Sequence, residues 1–519
     1  MAPHPVTLID ALLHPSCYPH DVTHIELHET HISWVLLTGP FAYKIKKPVD
    51  FGFVDFSTLE KRHHFCEEEL RLNRRLAPEL YQAVVPICGT MTRPVVEGTG
   101  PPLEYAVKMR QFSPDAQLDR VLAQGRLTSA QIDSLARKVA HFHEHIDVAG
   151  PETAYGEPDV VFRAITEAIP DVPQAWLTPH IQDELQDLTQ WASCMASSFS
   201  TMLERRKAQG FVRECHGDLH LGNMALVENR VLVFDCLEFN PLLRWIDVIS
   251  EVAFLVMDLK ARNRQDLASR FLNGYLECTG DYEGVPCLQV YEPYRALVRA
   301  KVAALRGKTQ GGTQDKARED CLHYVALAAH LIRRQVPTLF IMQGISGSGK
   351  TTVSQLLLEA IGAIRVRSDV ERKRLFGLPP GVRPPASLQE RLYTPAMTDA
   401  VYERLETVAN TLLQAGYPVI VDATFLQRRH RHRFRQLAQR LAIPFSILAC
   451  TAPDTILRER VATRGADASD ATIAVVEQQH QVREPFSQDE WPFVTTIPTH
   501  EDVAHAIEGF LQARRSSRT

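Results

Sequence analysis

The chain has 519 residues, 45% apolar and 23% charged, and its formal net charge is -5 from 57 basic and 62 acidic side chains. That length accommodates two or more domains, and cores of this size need no covalent staples. The small net charge excludes a global polyanion-binding surface, and ten cysteines without a CxxC pair exclude a disulfide framework. The first ten residues carry neither a basic n-region nor an apolar h-region. The most apolar stretch, Val248 to Leu259, is interrupted by Glu251 and Asp258. The expectation is a soluble, cytoplasmic protein with no membrane span.

Residues 25–47 alternate apolar and polar around Ile32, Trp34, Leu36, Ala42 and Ile45, which predicts two strands joined at Thr38-Gly39-Pro40. Residues 58–76 predict a helix that ends near Pro78, and 103–112 a further strand. Long helical patterns fill 128–208, followed by strands at Phe211–Glu214 and Val231–Phe234. The polar, Gly-rich run from Arg306 predicts a loop. After Pro337 the rhythm becomes strand–helix alternation. Strands are expected at Leu339–Met342, Ile364–Val366, Val419–Val421 and Phe445–Leu448, and helices at Thr352–Ile361 and around Val401–Leu412. Thr394 is the expected N-cap of the latter helix, with Pro395 at N1 and Gly416 at C′. Such alternation implies a doubly wound parallel sheet. The expected division is 1–336 and 337–519.

Two stretches carry chemistry. His216 to Asn223 reads HGDLHLGN, with Asp218 and Asn223 five apart, the spacing at which a catalytic-loop Asp takes a hydroxyl proton and an Asn oxygen ligates Mg²⁺. Strand VLVF then delivers Asp235 as a second metal ligand. The pattern H-x-D-x-H through His216, Asp218 and His220 leaves a metal site as an alternative. Glu238 is either a further metal ligand or a turn residue, and Arg244 and Asp247 are expected to stabilise the surrounding lobe.

The second stretch, GISGSGKT, fits the P-loop motif between a strand and a helix. Gly344, Gly347 and Gly349 let backbone N–H groups face phosphates, Lys350 reaches the β- and γ-phosphates, and the Thr351 hydroxyl ligates Mg²⁺. Ser346, Ser348 and Thr352 complete the expected nucleotide contacts. Asp422, at the end of an apolar strand, is the expected Mg²⁺-side acid. Asp369 is placed to accept a hydroxyl proton and Arg372 to hold an anionic group. Arg460 and Arg464, four apart before GADASDA, are expected to form a lid that neutralises the transferring phosphoryl group. The basic run RRHRHRFR, Arg428 to Arg435, is either a solvated helix face or a nucleic-acid contact.

HGDLHLGN followed by VFD resembles the aminoglycoside phosphotransferase and choline kinase group over about residues 25–335, and so does the helix LARKVAHFHEH with Ala140 and His143. The resemblance implies a bilobal eukaryotic-like kinase fold, with Asp218 as base and Asn223 and Asp235 as metal ligands. It implies an ATP-binding lysine in FAYKIKKP, Lys44 with Lys46 as rival, and a partner acid in CEEEL, Glu69 with Glu68 as alternative. No Gly-rich loop precedes Lys44; the turn there is Glu29 to Ser33.

GISGSGKT, RSDVERKR and VIVDAT resemble the small P-loop kinases over about 338–515, including gluconate kinase, polynucleotide 5′-kinase and zeta-toxin-like enzymes. The pair KIKKPVDFGFVDFSTLEKR and DCLEFNPLLRWIDV resembles a bacterial family that fuses an aminoglycoside-phosphotransferase-like domain to a P-loop ATP-binding domain. The expected fold is therefore α/β and α+β, the kinase fold followed by the doubly wound sheet. The expected activity is ATP- and Mg²⁺-dependent phosphorylation of hydroxyl groups on small molecules. The alternatives are that one domain regulates the other, or that the C-terminal half phosphorylates nucleotides or polynucleotides.

Overall fold

The computed structural model describes residues 7–52, 54–309, 314–333, 336–379, 381–382, 385, 388, 391–463 and 473–516. Its contacts divide the chain into two units. One is formed by residues up to 131, 141–162 and 199–255, and the other by 132–140, 163–198 and 256 onward.

The first unit opens on a six-stranded antiparallel sheet: β1 (Glu26–Glu29), β2 (Ser33–Leu37), β3 (Phe41–Lys46), β4 (Tyr81–Thr90), β5 (Arg93–Val96) and β6 (Glu104–Arg110), in the order β1-β2-β3-β6-β4-β5. Segment 25–47, expected to give two strands, gives three. The turns at 38–40 and at Glu29–Ser33 both lie where expected, the second closed by Thr30 Oγ1 accepting the N–H groups of Ile32 and Ser33, and the added strand is β1. Helix α1 (Leu59–Asn73) starts where the Thr58 hydroxyl accepts the Lys61 N–H. Its buried stripe, Cys66, Glu69, Leu70 and Asn73, has helical spacing and faces β4 and β6.

Strand β7 (Val212–Glu214) leads into the loop 216–223. A hairpin follows, β8 (Met224–Val227) and β9 (Arg230–Val233), turned by Glu228 and Asn229 at φ 51° and 60°. Met224 pairs with Val233, and the Phe234 N–H donates to the Asn223 carbonyl at 2.9 Å. The hairpin thus folds back on itself and sets Asp235 beside Asn223. A short strand, β10 (Trp245–Asp247), pairs with β7.

Helices α2 (Ser129–His145) and α3 (Val248–Ala261) hold this loop. The Glu251 carboxylate is buried, accepting the Gly217 N–H at 2.6 Å through one oxygen and lying 2.8 Å from His143 Nε2 through the other. Gly217 sits at φ 88°, where a Cβ would lie 2.7 Å from the Leu243 carbonyl, so the HGD turn requires glycine. Burial pushes the Glu251 carboxyl up. His143, His216 and the Gly217 N–H outweigh that and hold it below its ordinary value.

In the second unit, helix α4 (Gln265–Thr279) and the helices Leu288–Thr309 and Gln314–Leu331 precede a five-stranded parallel sheet. The run from Arg306, expected to be a loop, is helical as far as Thr309, and residues 310–313 lie outside the described residues. The sheet comprises β11 (Leu339–Gln343), β12 (Ile364–Arg367), β13 (Val419–Asp422), β14 (Phe445–Thr451) and β15 (Val494–Pro498), in the order β12-β13-β11-β14-β15. Around it run α5 (Lys350–Ile361), α6 (Ser368–Leu375), α7 (Pro395–Gln414), α8 (Arg428–Arg440) and α9 (Asp454–Ala462). Thr394 caps α7, with Pro395 at N1. Strand order reverses about β11, so the loop after β11 lies at the switch point where such sheets bind ligands.

The basic run on α8 is neutralised within the fold. Arg428 and Arg435 pair with Asp489, Arg429 with Asp399, Arg431 with Glu490, and Arg433 and Arg440 with Glu406. Arg428 and Arg429 stay more than half exposed in these pairs, so the run is a solvated helix face lined with ion pairs. No helix among the described residues is long and apolar enough to cross a membrane.

Replacing Glu251 with Ala strands His143 and the Gly217 N–H in a dry site, and it should cost about 3–5 kcal/mol in urea denaturation. Because its folded pKa is depressed, the Glu251 contribution is present above the ordinary Glu value and is lost as pH falls through the folded one. The stability gap between wild type and Glu251→Gln should therefore narrow in acid below that value.

Candidate active sites

The first site lies where β3, α1 and the 216–238 segment meet. Lys44 and Lys46, two apart, share one face of β3 and differ in depth. Lys44 Nζ lies 2.8 Å from Glu69 Oε1 and 2.5 Å from Asp235 Oδ1, and the Asp235 side chain is 46% exposed. Lys46 is buried, 2.8 Å from Glu69 Oε2 and paired with the buried Glu238. Glu69 therefore holds both lysines, while Lys44 alone reaches the open side. Glu68, the alternative acid, pairs instead with Arg71 at 3.0 Å.

Glu238 takes neither of its expected parts, metal ligation or turn bonding, because its carboxylate is the partner of Lys46. Burial raises Glu69, but the two ammonium groups overcome that and hold it well below the ordinary carboxylate range. Burial depresses Lys44, and Asp235, Glu69 and Glu238 reverse the shift.

Asp218 is gripped by Asn223, whose Nδ2 donates to its Oδ2 at 2.8 Å and to its carbonyl at 3.1 Å. That leaves the Asn223 amide oxygen as a hard donor atom. Asp235 adopts φ 63°, an uncommon conformation for a non-glycine residue. It is fixed there by its N–H donating to Tyr81 Oη at 3.1 Å and by the Cys236 N–H donating to Asn73 Oδ1 at 2.9 Å.

The two histidines do not form the alternative metal site. His216 Nε2 bonds the Phe234 carbonyl and its Nδ1 accepts the Asp218 N–H, while burial lowers its pKa and favours the neutral ring. His220 Nδ1 accepts the Gly222 N–H at 3.1 Å, and its Nε2 lies 3.3 Å from Asp218. Both rings brace the loop. Arg244 and Asp247 also stabilise structure, Arg244 through Glu214 at 3.2 Å and Asp247 through Arg206 at 2.6 Å.

The half-exposed Asp235 carboxylate and the Asn223 amide oxygen, set side by side by the hairpin, are hard oxygen donors of the kind that hold a divalent cation such as Mg²⁺.

The second site is a cavity of about 410 Å³ over the C-terminal edge of the parallel sheet, lined among others by Lys350, Thr351, Asp369, Arg372, Asp422 and Arg460. Ser346, Gly347, Gly349 and Thr352 also reach it. At Gly344 φ is 151°, and a Cβ would lie 2.4 Å from Ser348 Oγ and 2.8 Å from the Cys450 carbonyl, so the loop closes only with glycine there. Ser348 Oγ is buried without a hydrogen-bond partner in the described structure. Lys350 Nζ donates to the Ile345 carbonyl at 2.9 Å, folded over the loop it would leave to meet a phosphate. This cradle, opening the twelve-residue helix α5, fits a nucleotide's phosphates.

Asp422 ends β13 opposite Arg367 on β12 and accepts the Ser354 hydroxyl at 3.1 Å. Arg372 is buried. One guanidinium nitrogen donates to the Leu392 carbonyl at 2.9 Å, the group lies 4.8 Å from the Tyr393 ring centre, and Nε has no partner among the described residues.

Arg460, expected in a lid, lines the cavity. Its guanidinium donates to Thr499 Oγ1 at 3.0 Å, to the Thr499 carbonyl at 2.7 Å and to the Gly347 carbonyl at 3.3 Å, so it ties the P-loop to the segment after β15. Arg464 and the segment GADASDA lie outside the described residues. Sequence reasoning also missed Thr499, Tyr393 and Gln479, which accepts the Ser346 N–H at 2.7 Å. None carries a local motif. Arg367 stood in the sequence only as the first residue of RSDVERKR, two before Asp369.

Residues 56–291 match the phosphotransferase enzyme family and residues 339–486 an AAA domain family. Uncharacterized proteins of Mycobacterium tuberculosis and Mycobacterium bovis are 30% identical over 463 residues, covering 89% of this chain and 91% of theirs. Among solved structures the chain is similar to a choline/ethanolamine kinase family protein from Mesorhizobium loti (10% identity, 60% of this chain and 88% of that one, TM-score 0.37). It is also similar to a gluconokinase from Sinorhizobium meliloti (18%, 36% and 98%, TM-score 0.27). At those scores the structures add no argument of their own. The matches along the chain agree with the order of the two sites, kinase-like catalytic loop first and P-loop second. The chain belongs to the family of the mycobacterial proteins, and in this chain the phosphotransferase enzyme family match precedes the AAA domain match.

Proposed function

We propose that the protein is a bifunctional, ATP- and Mg²⁺-dependent kinase that phosphorylates a hydroxyl group at each site. The observation that supports this most is that each site pairs phosphate-directed cations with a separate carboxylate. In the first these are Lys44, beside Asp235, and Asp218, held by Asn223; in the second Lys350 and Asp369 line one cavity. A nucleotide-sensing module needs the cations alone. A phosphotransferase also needs a group that accepts the acceptor's proton.

In the first site Asp218 would receive the hydroxyl proton as the acceptor oxygen bonds to the γ-phosphorus and the bond to the ADP oxygen breaks. Asn223 and Asp235 would hold Mg²⁺, which supplies charge neutralisation on the phosphates, and Lys44 would orient them. In the second, Asp369 plays the base, Thr351 and Asp422 would hold Mg²⁺, and Ser346 to Thr352 form the cradle. The buried cation of Arg372, which lines the same cavity as Asp369, favours an acceptor that carries an anionic group near its hydroxyl.

An untargeted metabolite screen with labelled ATP tests the assignment. Asp218→Asn and Lys350→Ala should each remove one labelled product, with a loss of about 10²–10⁴-fold, and leave the other at the wild-type rate. Loss of both products in either variant, or a single product in the wild type, would replace the bifunctional reading with a regulatory one.

The two β3 lysines should also separate. Lys44→Ala should weaken nucleotide use at the first site with a modest effect on melting. Lys46→Ala leaves Glu238 buried without its cation, and it should destabilise the first unit by about 3–5 kcal/mol.

A further inference from the structure

Helix α4 belongs to the stretch matched to the phosphotransferase family, yet two of its polar side chains, Asn273 and Glu277, reach the P-loop sheet. Asn273 donates to the Ala363 carbonyl at 2.9 Å and accepts the Arg365 N–H at 2.7 Å, so it takes up the edge of β12. One turn on, the Glu277 carboxylate receives Arg365 at 2.6 and 3.1 Å and Arg367 at 3.4 Å. The Glu277 carbonyl receives Arg374 of α6 at 2.7 Å.

The contacts continue inward. Arg365 donates from its other terminal nitrogen to Ser354 Oγ at 3.2 Å, and the Ser354 hydroxyl lies 3.1 Å from Asp422 Oδ2. Arg367, held by the same carboxylate, pairs across the sheet with Asp422 and lines the cavity beside Asp369. Two arginines on one short buried strand would repel each other, and Glu277 is the anion that lets them lie there together. Burial raises Glu277, but the two guanidinium groups prevail and keep it ionised.

We infer that Glu277 is a positioning residue for the P-loop site: through Arg365 and Ser354 it sets the Asp422 carboxylate, and through Arg367 it sets the cavity wall next to Asp369. The inference rests on the kinase reading of that site. It means that the P-loop site is completed by a helix outside the P-loop fold, so the fusion supplies part of the site.

The test uses the full-length protein and a fluorescent ATP analogue, with Mg²⁺ titrated. The binding abolished by Lys350→Ala is assigned to the P-loop. Glu277→Gln keeps the shape and removes the charge, and it should raise the Mg²⁺ concentration for half-maximal P-loop binding about tenfold, the scale of a lost outer-shell partner. Binding in EDTA should be unchanged. Arg365→Lys keeps a cation but cannot bridge Glu277 and Ser354, and it should give the same shift.

Glu359→Gln breaks another tie of the same helix, the 2.8 Å pair with Arg270, without touching the chain to Asp422. It should keep the parent's Mg²⁺ requirement. An unshifted requirement in Glu277→Gln overturns the inference. An equal shift in Glu359→Gln also overturns it, because that marks general loosening. A parent protein with no Lys350-dependent binding overturns the kinase reading itself and the inference with it.

Discussion

A carboxylate taken out of water stays charged only where cations or N–H donors replace its hydration, and three such carboxylates govern the geometry of both sites. Glu69 holds Lys44 and Lys46 together. Glu251 ties the HGD turn to His143. Glu277 gathers the two arginines of β12. Each lies beneath a site, with the residues proposed to do chemistry standing on top of it. Removing one leaves a buried cation or donor unpaired, which costs more than the pair itself contributes.

The same rule separates residues that look alike in the sequence. Lys44 and Lys46 share a strand face, and neither spacing nor type tells them apart. Depth does, because Lys46 is closed in with Glu238 while Lys44 shares Glu69 and opens toward Asp235. The basic run of α8 reads as a polyanion contact until its partners are counted, and those partners come from α7 and the 484–490 segment.

Much of the molecule was legible because its signals are local. The P-loop needs glycines at fixed offsets between a strand and a helix, and HGDLHLGN with VFD spans a single loop and hairpin. The β13 acid and the α7 cap were readable for the same reason. What escaped depends on contacts distant in sequence. Strand β4 carries Pro86, which argues against a strand within a sheet, yet it pairs with β5 and β6 along its length. Strand β15, VTTIP, pairs only with β14 among the described residues. Arg460 was expected in a lid from its spacing to Arg464 before GADASDA, and its partners, Thr499 and Gly347, lie 39 and 113 residues away. Glu277 had no signal at all, since an isolated acid on a helix usually faces solvent.

The central claim is that one chain carries two separate nucleotide-dependent transfer sites built on unrelated folds. Calorimetric titration with a non-hydrolysable ATP analogue in the presence of Mg²⁺ tests it most directly. The account predicts two nucleotides bound per chain, one lost in Lys44→Ala and the other in Lys350→Ala, with the remaining site keeping its affinity. A single nucleotide per chain in the wild type, or loss of both in either variant, would contradict it.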